Sequence, residues 1–440
     1  MSEAKFTVPR GMKDLEPKEL GKYLWVKEKI MEIFRIYGFQ IMEPSTIENL
    51  ETLEAKCGEE IREEIYWFKD KAGRSLGLRF DLTVGMTRMV ANRYDLPEPI
   101  KLCAISGMWR YDEPQFARYR FFHQWDAEIY GSIEPEADAE IVSLSMDILE
   151  NVGLKEYEVR ISNRKLIEGF LRLLGINSIE KLESTFRIID KVTKIPEEEI
   201  VKKLLELGLM EASVSKILEF TSIKGRIDEA MGKVPREVLE EGLCKKGYEE
   251  LLRLIEVLEA FNKIDKCVLD LSVVRGIGYY DGIVFEAYDK GGEDVGAILG
   301  GGRYDKLCKI LGKKDMPATG VAGGIERMMI SLERGGVLRS ISQIPEIFLA
   351  TVGEESRKKV WKIANELRGE GVATDFDLKR RSLKKQLEYA DSLGVGYVAI
   401  VGPKEVEKGI IRLKDMRTRE EKELSLEELE RILKSKPVFK

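Results

Sequence analysis

Arginine and aromatic side chains dominate the stretch MWRYDEPQFARYR, residues 108–120. Arg110 closes a predicted strand, and Arg118 follows it across a predicted loop. Because a guanidinium group is planar, always charged and able to bind two oxygens at once, arginines placed in this way suit a phosphate ligand. Surface ion pairs with Asp112 and Glu113 explain the same residues equally well, so this stretch alone leaves both interpretations open.

The overlapping segment RYRFFHQWDAEIYG, residues 118–131, carries the only histidine of the chain. Side chains alternate between the two faces of a strand with period two. One face therefore carries Phe122, Gln124, Asp126 and Glu128, and the other carries His123, Trp125, Ala127 and Ile129. A polar face around one aromatic ring suits a ligand-binding floor, although a solvated sheet surface has the same pattern. His123 falls on the apolar face, so we predict that it is a bystander and not a catalytic base.

Glycine-rich segments with arginines occur further along the chain. They are VVRGIGYYDGIVFEAYD at 273–289, AILGGGRYDKL at 297–307 and ATGVAGGIERMMISL at 318–332. Glycine lets a ligand approach the backbone closely, and Arg275 and Arg327 are placed to meet an anion there. Ordinary turns and buried arginine–carboxylate pairs are the alternatives. No GK[ST] follows the glycines, which excludes a P-loop. Together with Arg110, these arginines indicate a nucleotide held on an antiparallel sheet.

Hydrophobic periodicity predicts the elements that position these side chains. Predicted helices cover 18–37, 85–95 and 134–153, predicted strands cover 39–44, 75–84, 101–110, 119–130, 157–162, 267–288 and 294–300, and a glycine-rich turn with a helix follows at 320–334. Residues 164–262 have an almost wholly helical pattern and interrupt this α+β domain. From about residue 343, continuously apolar strands alternate with helices, which predicts a separate α/β domain with a parallel or mixed sheet covered on both faces.

Composition narrows the class of protein. The chain has 440 residues, of which 43% are hydrophobic, and no run of 18 apolar residues, so we expect two or three domains and no membrane span. The N-terminus lacks the apolar core of a signal peptide. Five cysteines without CxxC spacing argue against a zinc site and disulfides and predict a cytoplasmic location. The net charge is −6, yet residues 343–440 hold 21 basic against 18 acidic residues, which is compatible with a local patch for a polyanion.

Several of these segments, taken in order, resemble the class II aminoacyl-tRNA synthetases and specifically the histidyl-tRNA synthetase family. GFQIMEP (38–44) resembles motif 1, GMWRYDEPQFARYRFFHQWDAEIYG (107–131) motif 2 and GVAGGIERMM (320–329) motif 3, whereas VVRGIGYYDGIVFEA and GGGRYD resemble the two segments peculiar to the histidyl family. SLKKQLEYADSLGVGYVAIVG resembles the anticodon-binding domain of that family. The resemblance extends over nearly the whole chain.

The resemblance implies roles for individual residues. It implies a histidine site of Asp81, Leu82, Thr83, Arg110, Gln124, Glu128, Arg275, Tyr279 and Tyr280, and an ATP site of Arg110, Asp112, Arg118, Phe122 and Arg327. Arg110 and Arg275 are the implied catalytic residues at the α-phosphate. Phe122 is expected to stack on adenine, with Arg327 on its other face or at the γ-phosphate. Glu128 and Tyr280 are expected to bracket the substrate imidazole.

The implied fold is an α+β catalytic domain on an antiparallel sheet with a helical insertion, plus a C-terminal α/β anticodon-binding domain. The expected boundaries are 1–163 and 263–335 for the two parts of the catalytic domain, 164–262 for the insertion and 343–440 for the anticodon-binding domain. The implied partners are ATP with Mg²⁺, L-histidine and the histidine tRNA, with a homodimer formed through motif 1. The family uses the insertion near the tRNA acceptor arm, and LKRRSLKK (378–385) either faces RNA phosphates or is a solvated helix start.

This sequence departs from the family pattern at a few positions. Gly278 stands where the family usually has Asp, Gly85 where proline is common, and Trp125 is bulky for its position. The main alternative function is that of an inactive paralogue, the regulatory subunit of ATP phosphoribosyltransferase. Such proteins generally lose motif arginines and the anticodon-binding domain. This sequence keeps both the motif arginines and a domain that resembles the anticodon-binding domain, which favours the ligase.

Overall fold

The computed structural model describes residues 6–57, 59–111, 113, 119–276, 278–312, 315–340 and 344–434. Two compact units make up the chain. The first combines the residues up to Leu15 with Tyr23–Arg339, and the second combines Glu16–Lys22 with the residues from Ser340 onward. Every helix in the described ranges is too short or too polar to cross a bilayer.

The strands in these ranges are β1 (Gln40–Ile41), β2 (Ile47–Asn49), β3 (Trp67–Lys69), β4 (Ser75–Leu78), β5 (Ile100–Trp109), β6 (Phe121–Tyr130), β7 (Tyr157–Asn163), β8 (Lys224–Arg226), β9 (Cys267–Asp270), β10 (Ile283–Asp289), β11 (Leu299–Arg303), β12 (Ala318–Gly324), β13 (Ile347–Thr351), β14 (Thr374–Phe376), β15 (Tyr397–Val401), β16 (Ile411–Asp415) and β17 (Glu421–Leu424). The helices are α1 (Pro17–Ile36), α2 (Leu50–Cys57), α3 (Thr83–Ala91), α4 (Pro135–Asn151), α5 (Arg164–Leu173), α6 (Ile179–Ile189), α7 (Glu197–Glu206), α8 (Glu211–Thr221), α9 (Ile227–Met231), α10 (Gly242–Ala260), α11 (Leu307–Leu311), α12 (Ile325–Arg334), α13 (Arg357–Gly369), α14 (Leu383–Leu393), α15 (Pro403–Lys408) and α16 (Leu426–Lys434).

A large sheet forms the base of the first unit. Its described strands lie in the order β1-β5-β6-β12-β11-β10-β7-β9-β8, and a small sheet of order β2-β4-β3 lies in the same unit. Neighbours in the large sheet are antiparallel except for the pairs β1–β5 and β7–β9. The predicted α+β unit on a mainly antiparallel sheet is therefore confirmed.

Strand β6 lies inside the large sheet, paired with β5 on one side and β12 on the other. The predicted alternation of its faces is confirmed. Trp125 is fully buried, and its ring packs edge-on against Phe34 of α1 with 6.1 Å between centroids. On the same side of the sheet, Arg303 of β11 donates two hydrogen bonds, of 3.0 and 2.7 Å, to Asp138 of α4. This buried ion pair fixes α4 to the strand.

The glycine-rich segment before α12 was expected to be a turn, and this expectation is wrong, because residues 318–324 form strand β12. Glycine is a poor strand former, so local propensity favours the turn. Tertiary packing reverses that preference, since a Cβ atom at Gly320 would collide with the Glu128 carboxylate and one at Gly323 with the Trp125 ring. The strand thus has glycines where side chains of β6 lie across it.

The predicted helical segment 164–262 is helical apart from one short strand. It contains α5 to α10, and β8 pairs antiparallel with β9 at the end of the large sheet. Its long final helix, α10, packs against α5 and against α4. At the junction, the Asn163 side chain accepts a hydrogen bond from Lys165 N at 2.9 Å and caps α5.

The second unit contains a mixed sheet, as predicted. Its described strands lie in the order β14-β13-β15-β16-β17, with β14, β13 and β15 parallel and the remaining pairs antiparallel. One face is covered by α13 and α16, where Leu367 and Leu429 are fully buried. Ala390 of α14 is buried against the other face. Helices on both faces explain why the strands read as continuously apolar.

Candidate functional site

A cavity of about 870 Å³ opens over the large sheet of the first unit. Among the residues that line it are Asp81, Thr83, Arg110, Phe122, Gln124, Glu128, Arg160, Lys194, Arg275, Tyr279, Tyr280, Glu286, Tyr288, Gly300, Tyr304, Gly320 and Arg327. They come from β6, β7, β10, β11 and β12, from the starts of α3 and α12, from the loop before β10, and from the segments that follow β5, α6 and β11. Pairing between strands that are distant in the sequence therefore brings the separate segments together at one site.

The cavity brings together most of the residues that the sequence predicted. Asp81, Thr83, Gln124, Glu128, Tyr279, Tyr280, Arg110, Arg275, Phe122 and Arg327 all line it. Leu82 does not line it, because its side chain is fully buried in the core beneath α3. Asp112 and Arg118 lie outside the described residues. Leu82 is thus the one described residue of the predicted set whose side chain is held elsewhere.

Glu128 sits at the centre of the floor and is only 1% exposed. The Tyr304 hydroxyl donates a hydrogen bond to Glu128 Oε2, and Gly320 of β12 lies directly beside Glu128 in the sheet register. Because a Cβ atom at Gly320 would occupy the position of Oε2, glycine is required there for the carboxylate to lie flat. Tyr304 was missed in the sequence, although the GGGRYD segment that contains it was noted.

A chain of hydrogen bonds orients the amide of Gln124. Gln124 Nε2 donates to Asp126 Oδ1 at 2.8 Å, and Thr83 Oγ1 donates to Asp126 Oδ2 at 3.2 Å. Asp126 is fully buried, so the amide nitrogen is fixed toward it and the amide oxygen faces Arg110 Nη2 at 3.5 Å. Strand parity predicts that Asp126 lies on this face. Its hydrogen bond from Thr83 depends on the packing of α3 against β6, which the sequence alone does not predict.

Arg110 directly follows β5 and lines the cavity. Its Nε donates to Phe80 O at 3.0 Å, and its guanidinium lies 4.9 Å from the centroid of the Phe122 ring. Arg327 of α12 donates from Nη1 to Ala297 O at 3.0 Å, just before β11. Two arginines and an aromatic ring thus line one cavity, an arrangement that can bind phosphate oxygens beside a stacked base.

Arg275 also lines the cavity and is held there by a carboxylate. Its Nη1 donates to Glu286 Oε1 at 2.6 Å, and the Tyr288 hydroxyl donates to Glu286 Oε2 at 2.5 Å. Burial favours the neutral form of Glu286, but the charge of Arg275 and the hydrogen bonds from Tyr288 and Arg275 together lower the pKa of this carboxyl. A Cβ atom at Gly300 would collide with the guanidinium, so the glycine of β11 makes room for it. Glu286 was not predicted as a site residue, although it lies in the segment 273–289.

His123 lies on the face of β6 away from the floor. Its Nδ1 is 2.8 Å from Glu326 Oε1, and its ring packs 4.2 Å, centroid to centroid, from the ring of Tyr23. The same glutamate accepts hydrogen bonds from the His123 backbone N–H at 3.0 and 2.9 Å. The histidine therefore lies on the core-facing side of β6 that strand parity predicted, where it contacts Tyr23 of α1.

Replacing His123 by phenylalanine is expected to change the turnover rate of the protein by less than about fivefold, because one partly buried hydrogen bond is lost and the ring packing is kept. The backbone hydrogen bond to Glu326 remains in this variant. Steady-state kinetics and a thermal melt measure the effect. A folded variant whose turnover falls by several orders of magnitude would reassign His123 to the chemistry.

Comparisons with known proteins agree with this geometry. A family profile described as histidyl-tRNA synthetase matches residues 11–328, and one described as anticodon binding domain matches residues 346–436. The histidine–tRNA ligase of Pyrococcus furiosus is 38% identical over 97% of this chain and 98% of its own length, and that of Thermococcus kodakarensis is 39% identical over 96% and 98%. The crystal structure of histidyl-tRNA synthetase from Nostoc sp. PCC 7120 superimposes with a TM-score of 0.85 at 26% identity, covering 98% of this chain and 100% of the other. The chain therefore belongs to the histidyl-tRNA synthetase family.

Proposed function

We infer that this protein is a class II histidine–tRNA ligase, which activates L-histidine with ATP and transfers it to the histidine tRNA. The main observation in support of this function is that Arg110, Arg275 and Arg327 line the same cavity as the Glu128 carboxylate. The relatives named above are histidine–tRNA ligases that match nearly from end to end. The regulatory-paralogue alternative is less supported, because the arginines and the second unit are both present.

We propose that Arg275 and Arg110 stabilise the transition state of adenylation. The histidine carboxylate attacks the α-phosphate of ATP in line, a bond to phosphorus forms, and pyrophosphate leaves with the electrons of the broken bond. The attacking carboxylate is already ionised, so no protein base is required for this step. Negative charge grows on the phosphate oxygens, and fixed guanidinium groups stabilise it without having to reorganise. The Glu286 ion pair supports this role by holding Arg275 before substrate binds.

We propose that Glu128 and Tyr280 select histidine by hydrogen bonds to its two imidazole nitrogens, and that Asp81, Thr83 and Gln124 hold its α-amino group. Tyr304 orients Glu128 for this task. A buried acceptor left unpaired by the wrong amino acid is costly, and sites of this kind reject analogues by about 10⁴–10⁵-fold. On this proposal the helical insertion has no need to edit mischarged products.

ATP is expected to bind with its base against Phe122, within reach of Arg327. A divalent cation accompanies ATP in this family, and we propose Mg²⁺, which prefers oxygen ligands and keeps few protein contacts. Glu286 and Glu326 line the cavity and are oxygen donors that fit this preference. When bound, Mg²⁺ would neutralise phosphate charge. The arginines then hold the orientation of the triphosphate.

The wider organisation follows from the same proposal. We propose the domain boundaries predicted from the sequence, 1–163 with 263–335, 164–262 and 343–440. The anticodon-binding domain and the basic segment 378–385 would contact the tRNA. A homodimer through motif 1 is supported by the end strand β1, where Ile41 is 56% exposed. A cytoplasmic location is supported by the cysteines whose side chains are described, which are buried free thiols (Cys103, Cys244, Cys267 and Cys308).

The purified protein is expected to catalyse ATP–pyrophosphate exchange with histidine and to do so at least ~10⁴-fold less efficiently with other amino acids, since the floor is built on hydrogen bonds to imidazole. Radiolabelled pyrophosphate incorporation measures this directly. Absence of exchange from folded protein would contradict the ligase function. Exchange driven by proline or threonine would instead contradict the proposed specificity.

A further inference from the structure

The turn that carries Arg275 has an uncommon backbone conformation. Arg275 has a φ of +52°, in the left-handed region that residues with a side chain seldom adopt. Such a conformation persists only where surrounding contacts hold it. The side-chain pair with Glu286 restrains the guanidinium. The backbone of the turn is held by different residues, which belong to the helical insertion.

Arg164, the first residue of α5, reaches under the turn. Its Nη1 donates to the carbonyl of Arg275 at 2.9 Å and to that of Val274 at 3.4 Å. The guanidinium of Arg164 also stacks on the ring of Phe186 in α6, 4.0 Å from its centroid. Arg164 is only 4% exposed. It belongs to α5 and stacks on α6, so both helices hold its guanidinium against the turn.

Asp190, directly after α6, holds the other side of the same turn. Its Oδ1 accepts a hydrogen bond from the backbone N–H of Gly276 at 3.1 Å, and its Oδ2 pairs with Lys194 at 2.6 Å. A Cβ atom at Gly276 would lie only 3.4 Å from the side chain of Asp190. That distance is an ordinary van der Waals contact, so the turn lies directly against the residue that follows α6.

Next to this contact, Gly278 faces a second carboxylate of α6. A Cβ atom there would come within 2.8 Å of Glu183 Oε1. An aspartate at this position would bring two carboxylates together, so glycine suits the neighbour that this chain supplies. Gly276 and Gly278 thus meet Asp190, directly after α6, and Glu183 of α6.

We propose that the helical insertion positions the catalytic turn, with Asp190 as the positioning residue that holds the Gly276 N–H and thereby the left-handed conformation of Arg275. Asp190 is not among the residues that line the cavity, and on this proposal it acts through Arg275. The inference rests on the proposed role of Arg275 in adenylation. It gives the insertion a part in amino-acid activation that precedes any contact with tRNA.

The test compares three variants in ATP–pyrophosphate exchange, with rates normalised to active sites by the burst of adenylate formation. Asp190→Ala removes the acceptor and is expected to lower kcat by about 10- to 100-fold, since small misplacements of catalytic groups have effects of that size. The KM values for ATP and histidine should change little. Asp190→Asn keeps an acceptor oxygen but loses the Lys194 ion pair, and it should restore kcat to near the original value.

Glu199→Ala is the matched control, because it breaks the equivalent ion pair four residues apart, Glu199 with Lys203, on α7. It should leave kcat unchanged. A normal kcat for Asp190→Ala, or an equal loss in Asp190→Asn, would overturn the proposal. So would a loss confined to the number of active sites, because that indicates a role in folding alone.

A double variant separates this inference from the role of Arg275 itself. If Asp190 acts through Arg275, adding Asp190→Ala to Arg275→Ala should reduce the residual rate no further. A multiplicative loss would place Asp190 on another route and overturn the proposal. A fully active Arg275→Ala single variant would instead remove the proposed role of Arg275, a distinct result.

Discussion

Replacing Arg275 by alanine is expected to lower kcat for histidine-dependent ATP–pyrophosphate exchange by about 10²–10³-fold, the usual effect of removing one preorganised donor from a transition state. The physical reason is that its guanidinium is fixed by Glu286 at 2.6 Å before substrate arrives. Pre-steady-state measurement of adenylate formation isolates the step.

Removing one partner of a buried pair also destabilises a protein, so the alanine variant needs a companion. Arg275→Lys keeps the positive charge beside Glu286 but loses the planar fork, and it should stay folded with a rate well below that of the original protein. Arg226→Ala, at an exposed arginine of β8, is the control for a general loss of positive charge. An Arg275→Lys variant with undiminished adenylation would show that the fork is not needed.

Replacing Glu128 by glutamine is expected to lower kcat/KM for histidine by about 10³-fold, while the KM for ATP changes little. Glutamine keeps the volume, but it removes the negative charge that faces the imidazole and puts an amide N–H₂ in place of one acceptor oxygen. Exchange kinetics with varied histidine and varied ATP separate the two effects.

Glu140→Gln provides the comparison for this variant, because Glu140 pairs with Lys101 and does not line the cavity. Its kinetics should match those of the original protein. If Glu128→Gln retained a kcat/KM for histidine within a fewfold of the original, the selection of imidazole would have to be assigned to other residues.

Much of the site could be predicted because strand parity is a local property. The two faces of β6 follow from its sequence alone, and the structure places Phe122, Gln124 and Glu128 on the floor and His123 behind it. The order of the segments then sufficed to identify the family and the two-unit fold.

The remainder depended on contacts between distant parts of the chain. Strand β12 reads as a turn until the Glu128 side chain is known to lie across Gly320. Tyr304 and Asp126 became site residues only through the pairing of β6 with its neighbours and the placement of α3. The sequence did not predict the conformation of Arg275, because Asp190, which contacts this turn, lies 85 positions earlier in the chain.

The glycine strands under the cavity limit how this enzyme can change. The Arg275 guanidinium and the Glu128 carboxylate lie at the edge of the cavity because β11 and β12 lack side chains at Gly300 and Gly320. A residue that is already glycine can be replaced only by something larger, so mutation at these points can shrink the cavity but never widen it. Substitutions that enlarge the cavity for a larger substrate are therefore confined to its aromatic and charged walls. Substitutions at the two floor glycines can only make it smaller.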